Sequence, residues 1–257
     1  MKKLFLLLPL TAALITACGG GSTSVPGGFN QPGSITGTVL NYSRGAATIE
    51  ALAVSTAPKS ASNPAVASAS LNANGSFALP LPPQATIAPY LSAPGSAASA
   101  VYTETGCSGS LSNSAPEAQG YSIGALSAAG VNYSTVTTVS NQSARTVTVD
   151  GGLWTYTTKA TSLGGSITCS QSANGKTEVL RVSASAPLNL GWNFVKLHAD
   201  GAVSSDGSVL TINLTFVTAN DQATSWSTAS ASPLSVTPLA AAVTARLSSF
   251  NFGSLHF

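Results

Sequence analysis

His198 and Asp200 stand two residues apart in "KLHADG". On an extended chain that spacing sends both side chains to one face. An imidazole held beside a carboxylate is the start of a general base. The other histidine is His256, and the nucleophile such a base would need must come from one of many serines, none of them expected in a Gly-x-Ser-x-Gly elbow. The pair therefore reads as a solvated strand end before an Asp-Gly turn, and no catalytic residue is assigned. The acidic residues are Glu50, Glu104, Glu117, Asp150, Glu178, Asp200, Asp206 and Asp221. They are scattered, with several at turn signals, so the paired carboxylates of glycoside hydrolysis do not stand out. Cys107 and Cys169 lack CxxC spacing, the histidines are not clustered, and "HADGAVSSDG" lacks the carboxylate density of a calcium loop. No metal and no cofactor is expected.

Trp154, Tyr156 and Trp192 admit two readings. Exposed, they would stack on sugar rings; buried, they would fill a core. The core reading is preferred for the tryptophans Trp154, Trp192 and Trp226, and Trp154, Tyr156 and Trp192 remain the candidates for ligand stacking.

Charged residues make up 7% of the 257 residues, against about a quarter in ordinary globular chains. Ser, Thr, Ala, Asn and Gly take their place. Without Lys2 and Lys3 the chain carries eight basic and eight acidic side chains. There is no basic run to meet a phosphate backbone, so nucleic acid is not an expected partner.

The chain begins "MKKLFLLLPLTAALITACGGG". Two lysines precede about a dozen apolar residues, which is the length of a signal peptide and short of the roughly 20 a spanning helix needs. Ile15-Thr16-Ala17-Cys18 resembles the bacterial lipobox. That resemblance implies cleavage before Cys18 and acylation of Cys18, which would anchor the chain to a membrane. The expected location is the cell envelope, at the outer membrane, on its periplasmic face or at the cell surface. Residues 18–33, rich in Gly, Ser and Pro, read as a flexible tether. With Cys18 lipidated, Cys107 and Cys169 are left in an oxidising compartment and are expected to pair; two buried free thiols are the alternative.

The remaining sequence carries period-two runs separated by turn residues, the pattern of antiparallel sheet. Candidate strands cover 34–40, 47–54, 65–71 and 76–81, then 101–105, 121–126, 133–139, 145–149, 153–160, 166–171, 177–183, 192–198, 209–217 and 224–227. Hairpin turns are expected at Asn74-Gly75, Asp150-Gly151-Gly152 and Asn174-Gly175, and a turn at Asp206-Gly207. A short helix is expected within "LAAAVTARL", and a docked or frayed tail at the end of the chain.

Gly37-Thr38-Val39, Ala47-Thr48-Ile49 and Asn74-Gly75-Ser76-Phe77-Ala78-Leu79 resemble the prealbumin-like sandwich of carboxypeptidase regulatory-like domains. After Leu81 the sequence departs from that pattern, because a final Gly-x-Tyr-x-Val strand is missing. Gly191-Trp192-Asn193-Phe194-Val195, with the preceding "WTYTTKATSLGGSITCS", resembles a segment of uncharacterised bacterial surface lipoproteins, which implies architecture and location but no activity. The proline-rich stretch 79–95 reads as an irregular connection.

The expectation is an all-β chain with two antiparallel β-sandwich-like domains. The signal peptide is placed at 1–17, the tether at 18–33, a prealbumin-like sandwich at 34–95, and a second β-rich domain with a C-terminal tail at 96–257. The expected role is non-enzymatic, structural or adhesive, with envelope polysaccharide or protein as partner. A carbohydrate-binding lipoprotein and a hydrolase are the alternatives.

Overall fold

The computed structural model describes residues 31–54, 59–92, 107–141, 143–173 and 175–228. The signal peptide, Cys18, the strand expected at 101–105 and the C-terminal helix and tail lie outside them. The chain is all-β, with two sheets in a sandwich-like arrangement. Among the described residues no helix is long and apolar enough to cross a membrane.

The first sheet starts with β1 (Ser34–Val39), β2 (Ala47–Leu52), β3 (Ala65–Leu71) and β4 (Ser76–Pro80). These are the four strands expected from the sequence. β7 (Ala125–Ala128), β8 (Val131–Ser134) and β15 (Ser225–Thr228) close it into a barrel in the order β1-β15-β8-β7-β2-β3-β4. The closing strand missing after Leu81 thus arrives from more than 140 residues away, and β15 lies parallel to β1. The barrel therefore draws strands from both sides of residue 95.

Gly37 makes that closure possible. A Cβ there would come within 2.5 Å of the Thr224 carbonyl and 2.7 Å of the Trp226 indole.

The second sheet has longer strands: β5 (Cys107–Asn113), β6 (Gly120–Ile123), β9 (Thr137–Asn141), β10 (Thr146–Thr157), β11 (Thr161–Ala173), β12 (Lys176–Leu188), β13 (Gly191–Val203) and β14 (Val209–Ala219). Its order is β5-β11-β12-β14-β13-β10-β6, with β9 also on β10. β12 and β14 run parallel, the second departure from an antiparallel pattern. Cys107 and Cys169 face each other across β5 and β11 and form a disulfide, which fixes an outer strand of the sheet.

Two hairpins follow their sequence signals. β3 and β4 turn at Gly75, and β11 and β12 at Gly175, with Ala173 opposite Lys176. The turn before β14 is held by Asp206, whose carboxyl binds the Ser204 hydroxyl and the Ser208 amide and hydroxyl. Those bonds lower its pKa to about 2. The hairpin expected at Asp150-Gly151-Gly152 does not form: β10 runs straight through it. Gly152 serves a different need, because a Cβ there would lie 2.3 Å from the ring of Phe194. His198 and Asp200 are likewise inside β13 and not at its end.

One edge of β10 is shared. β6 pairs with residues 154–157 and β9 with residues 146–150. Between those stretches the chain leaves to build β7 and β8. Thr135 fills the gap, its hydroxyl accepting from the Gly152 amide at 3.0 Å and donating to the Gly152 carbonyl at 3.4 Å.

The core follows from alternation. One face of the long sheet is apolar, with Val147, Val149, Val182, Val195, Leu197, Ile212, Leu214 and Phe216 in one buried cluster. On the opposite face, Trp154, Tyr156, Trp192 and Phe194 join the barrel interior in a second cluster with Ile35, Ile49, Phe77 and Trp226. The proline-rich connection docks there through α1 (Gln84–Ile87) and a following 3-10 turn.

Candidate functional site

Trp154, Tyr156 and Trp192 are 0%, 6% and 8% exposed. They are core residues, and a sugar ring has no access to them. Trp154 stacks on Trp226 at 5.3 Å and packs against Phe194 at 4.8 Å. Trp192 meets Tyr121 and Tyr156 edge-on. Their polar tips are satisfied inside the protein, as burial demands. Trp154 Nε1 donates to Gln222 Oε1 at 2.8 Å, Tyr156 Oη to Gln84 Oε1 at 2.8 Å, and Trp192 Nε1 to the Pro82 carbonyl at 3.0 Å. Burial also raises the pKa values of the Tyr121 and Tyr156 phenols.

The Gly-Trp-Asn-Phe-Val segment acquires a physical reading. Gly191 takes φ +95° at the turn. The Asn193 amide donates to the carbonyls of Asn189 and Gly191, and its oxygen accepts from the Asn189 amide. Trp192 and Phe194 then enter one core, and Val195 the other.

A polar constellation forms on the same face, further along β10 and β13. Asp150 lies opposite His198, and Thr148 opposite Asp200. His198 Nδ1 is 2.6 Å from Asp150 Oδ1, and Nε2 is 2.9 Å from Asp200 Oδ2. Thr148 Oγ1 donates to Asp200 Oδ1 at 2.9 Å. The Asp150 hydrogen bond leads in raising the imidazole pKa, and Asp200 adds to it; the Thr148 bond leads in lowering that of Asp200. All three side chains of the Asp-His-Asp set are about half exposed.

Sequence reading anticipated His198 with Asp200 but not Asp150, because Asp150 was assigned to a turn. Its signal was present in β-period spacing: Thr148, Asp150, Gly152, Trp154 and Tyr156 alternate on one face. The expectation that no serine has Gly-x-Ser-x-Gly surroundings needs a correction in spacing. Gly120-Tyr121-Ser122-Ile123-Gly124 matches the Gly-x-Ser-x-Gly spacing of hydrolase nucleophiles. Ser122 is nonetheless a buried residue of β6, its hydroxyl 3.2 Å from Thr155 Oγ1. Register with Thr155 puts Ser122 on the face opposite Asp150 and His198. There is no strand-to-helix elbow, and the serine and histidine are separated by the sheet.

Next to His198 a cleft of about 510 Å³ opens between the long sheet and the segment leading into β15. Asp150, Lys196 and His198 line one side; Asp221, Gln222 and Ser225 line the other. Lys196 Nζ pairs with Asp221 Oδ2 at 2.5 Å across it.

Beyond the cleft, the exposed face continues as cross-strand rows. Thr137, Asp150, His198, Thr215, Ser183, Ser166 and Ser110 are successive register partners across seven strands. At about 4.8 Å per strand the row is roughly 29 Å long. The neighbouring row runs Val139, Thr148, Asp200, Asn213, Arg181, Thr168 and Ser108. Among the described residues, no group of three His, Cys, Asp or Glu is placed to hold a metal ion. Comparison with protein families, with curated proteins and with solved structures finds no match for this chain.

Proposed function

We propose that this is an exported protein, lipid-anchored through Cys18 at the cell envelope, with a non-enzymatic adhesive role. The observation that carries the reading is the exposed face of the long sheet, where a row seven strands wide presents the hydroxyls of Thr137, Thr215, Ser183, Ser166 and Ser110 around the Asp150–His198 pair. Such a face offers many hydrogen bonds and little net charge, which suits contact with envelope polysaccharide or protein. His198 supports the same reading from the side of chemistry. Both ring nitrogens are held by carboxylates, whereas a general base needs one nitrogen turned to a nucleophile.

The test expresses the full chain in a bacterium and measures attachment of cells to surfaces coated with envelope material. Expression should raise attachment, and Ser166→Arg/Ser183→Arg/Thr215→Arg on the hydroxyl row should remove most of the gain. Radiolabelled palmitate should enter the wild-type chain and not Cys18→Ser. Equal attachment with and without the chain would refute the adhesive role; absence of label would refute the anchor.

A further inference from the structure

We propose that the cleft between Asp150 and Gln222 is a binding site for a neutral saccharide, taken as the end of a glycan chain. The proposal rests on the adhesive reading and names its ligand class. Four observations carry it.

The first is size. About 510 Å³ lies within the roughly 300–1,000 Å³ of small-molecule sites.

The second is charge. The ionic groups of the lining come as two opposed pairs, Lys196 with Asp221 and His198 with Asp150. Each cation already has its carboxylate, and His198 has a second in Asp200, so an anionic ligand finds no free cation.

The third is fixed hydrogen-bonding capacity. Gln222 is anchored from behind, its Oε1 accepting from the buried Trp154 Nε1. That leaves its amide nitrogen, a donor, with no partner among the described residues. Asp150 is positioned by His198 through Oδ1, which leaves Oδ2 as an acceptor. A donor and an acceptor held in place on opposite walls match the paired hydroxyls of a sugar, and side chains already ordered lose little entropy on binding.

The fourth is the rest of the lining. Thr137 and Ser225 add hydroxyls, while the exposed Val217 supplies apolar wall for C–H groups. The tryptophans contribute indirectly, since Trp154 orients Gln222 from the core.

The experiment titrates the full chain at pH 6 with neutral glucose-, galactose- and mannose-based tetrasaccharides. Tetrasaccharides of uronic acids and of amino sugars are measured alongside. At least one neutral series should bind saturably at one site, and the charged ones at least ten-fold more weakly. Asp150→Ala should weaken binding at least ten-fold. Thr137→Trp, on an exposed position of β9, fills the cleft without touching the core and should abolish binding with unchanged circular dichroism.

Binding that survives Thr137→Trp, preference for a charged series, or no binding by any neutral series would overturn the assignment. Cell attachment measured on the same Thr137→Trp chain separates the two readings. Attachment by the wild type with no neutral saccharide bound sinks the cleft and leaves the adhesive face standing, attachment lost together with saccharide binding in Thr137→Trp supports the cleft, and no attachment even by wild type sinks the adhesive role itself.

Discussion

The β10–β13 pair holds two regions on one face that differ in everything but backbone. Over residues 152–157 and 191–194 the face is aromatic and sealed; over 146–150 and 196–200 it is charged and open. Register pairs Tyr156 with Trp192 and Trp154 with Phe194, then Gly152 with Lys196, Asp150 with His198 and Thr148 with Asp200. The change occurs at Gly152, which provides space for the Phe194 ring on one side. On the other side, the Thr135 hydroxyl stands in for a missing strand partner. The lesson is that strand pairing is indifferent to what covers it. The barrel covers one half and makes it core, and the other half is left as surface.

The largest expected effect lies in the sealed half. Trp154→Ala would remove a fully buried indole from contact with Trp226 and Phe194 and leave Gln222 without its anchor. A loss of about 3–5 kcal/mol is expected in urea unfolding. A loss below about 1 kcal/mol would mean that this half is not packed as described. At the boundary, Gly152→Ala would force a methyl against Phe194 and cost about 1–3 kcal/mol, measured in the same way.

In the open half, Thr148→Ala removes one exposed hydrogen bond to Asp200, and a change within about 0.5 kcal/mol is expected. The three substitutions therefore rank the halves, and a large Thr148 effect would blur the contrast.

The open half also carries an electrostatic effect, which is read against pH. His198 has a raised folded pKa, so its contribution is complete below the unfolded value of about 6.5 and fades as pH climbs through the folded value. Asp200 has a lowered one, so its contribution is present above about 3.9 and fades as pH falls. The stability difference between wild type and His198→Gln should therefore peak between about pH 4 and 6.5. Solvent screening of half-exposed partners limits it to about 1 kcal/mol. A flat difference from pH 4 to 9 would show that neither carboxylate holds the imidazole, and an NMR titration of His198 checks this directly.

Much of the architecture was legible because β-period runs and Asn-Gly turns are local signals. The four strands from Ser34 to Pro80 and the turns at Gly75 and Gly175 are cases in point. What failed was non-local. The pairing of β15 with β1 depends on Gly37 leaving room for Trp226, and no spacing in the sequence couples those positions. Gly151-Gly152 after an aspartate has the composition of a hairpin, yet a strand accepts glycine where a ring from the next strand must lie close.

The β7–β8 turn was missed for the opposite reason. Ala129 takes φ +48° before Gly130, a two-residue turn without the usual Asn or Asp. Of the site, the His198–Asp200 spacing was visible from alternation. Asp150 was hidden by the turn assignment, and Gln222 by having no motif at all, since its role comes from Trp154 behind it.

All three tryptophans belong to the core, and the polar half of the face is left exposed. Acrylamide quenching of tryptophan fluorescence in the native chain tests it most directly. Trp154, Trp192 and Trp226 are all buried, so quenching should be several-fold weaker than in the urea-unfolded chain, with a blue-shifted emission throughout. A component quenched as readily as in the unfolded chain would place at least one indole at the surface and contradict the account.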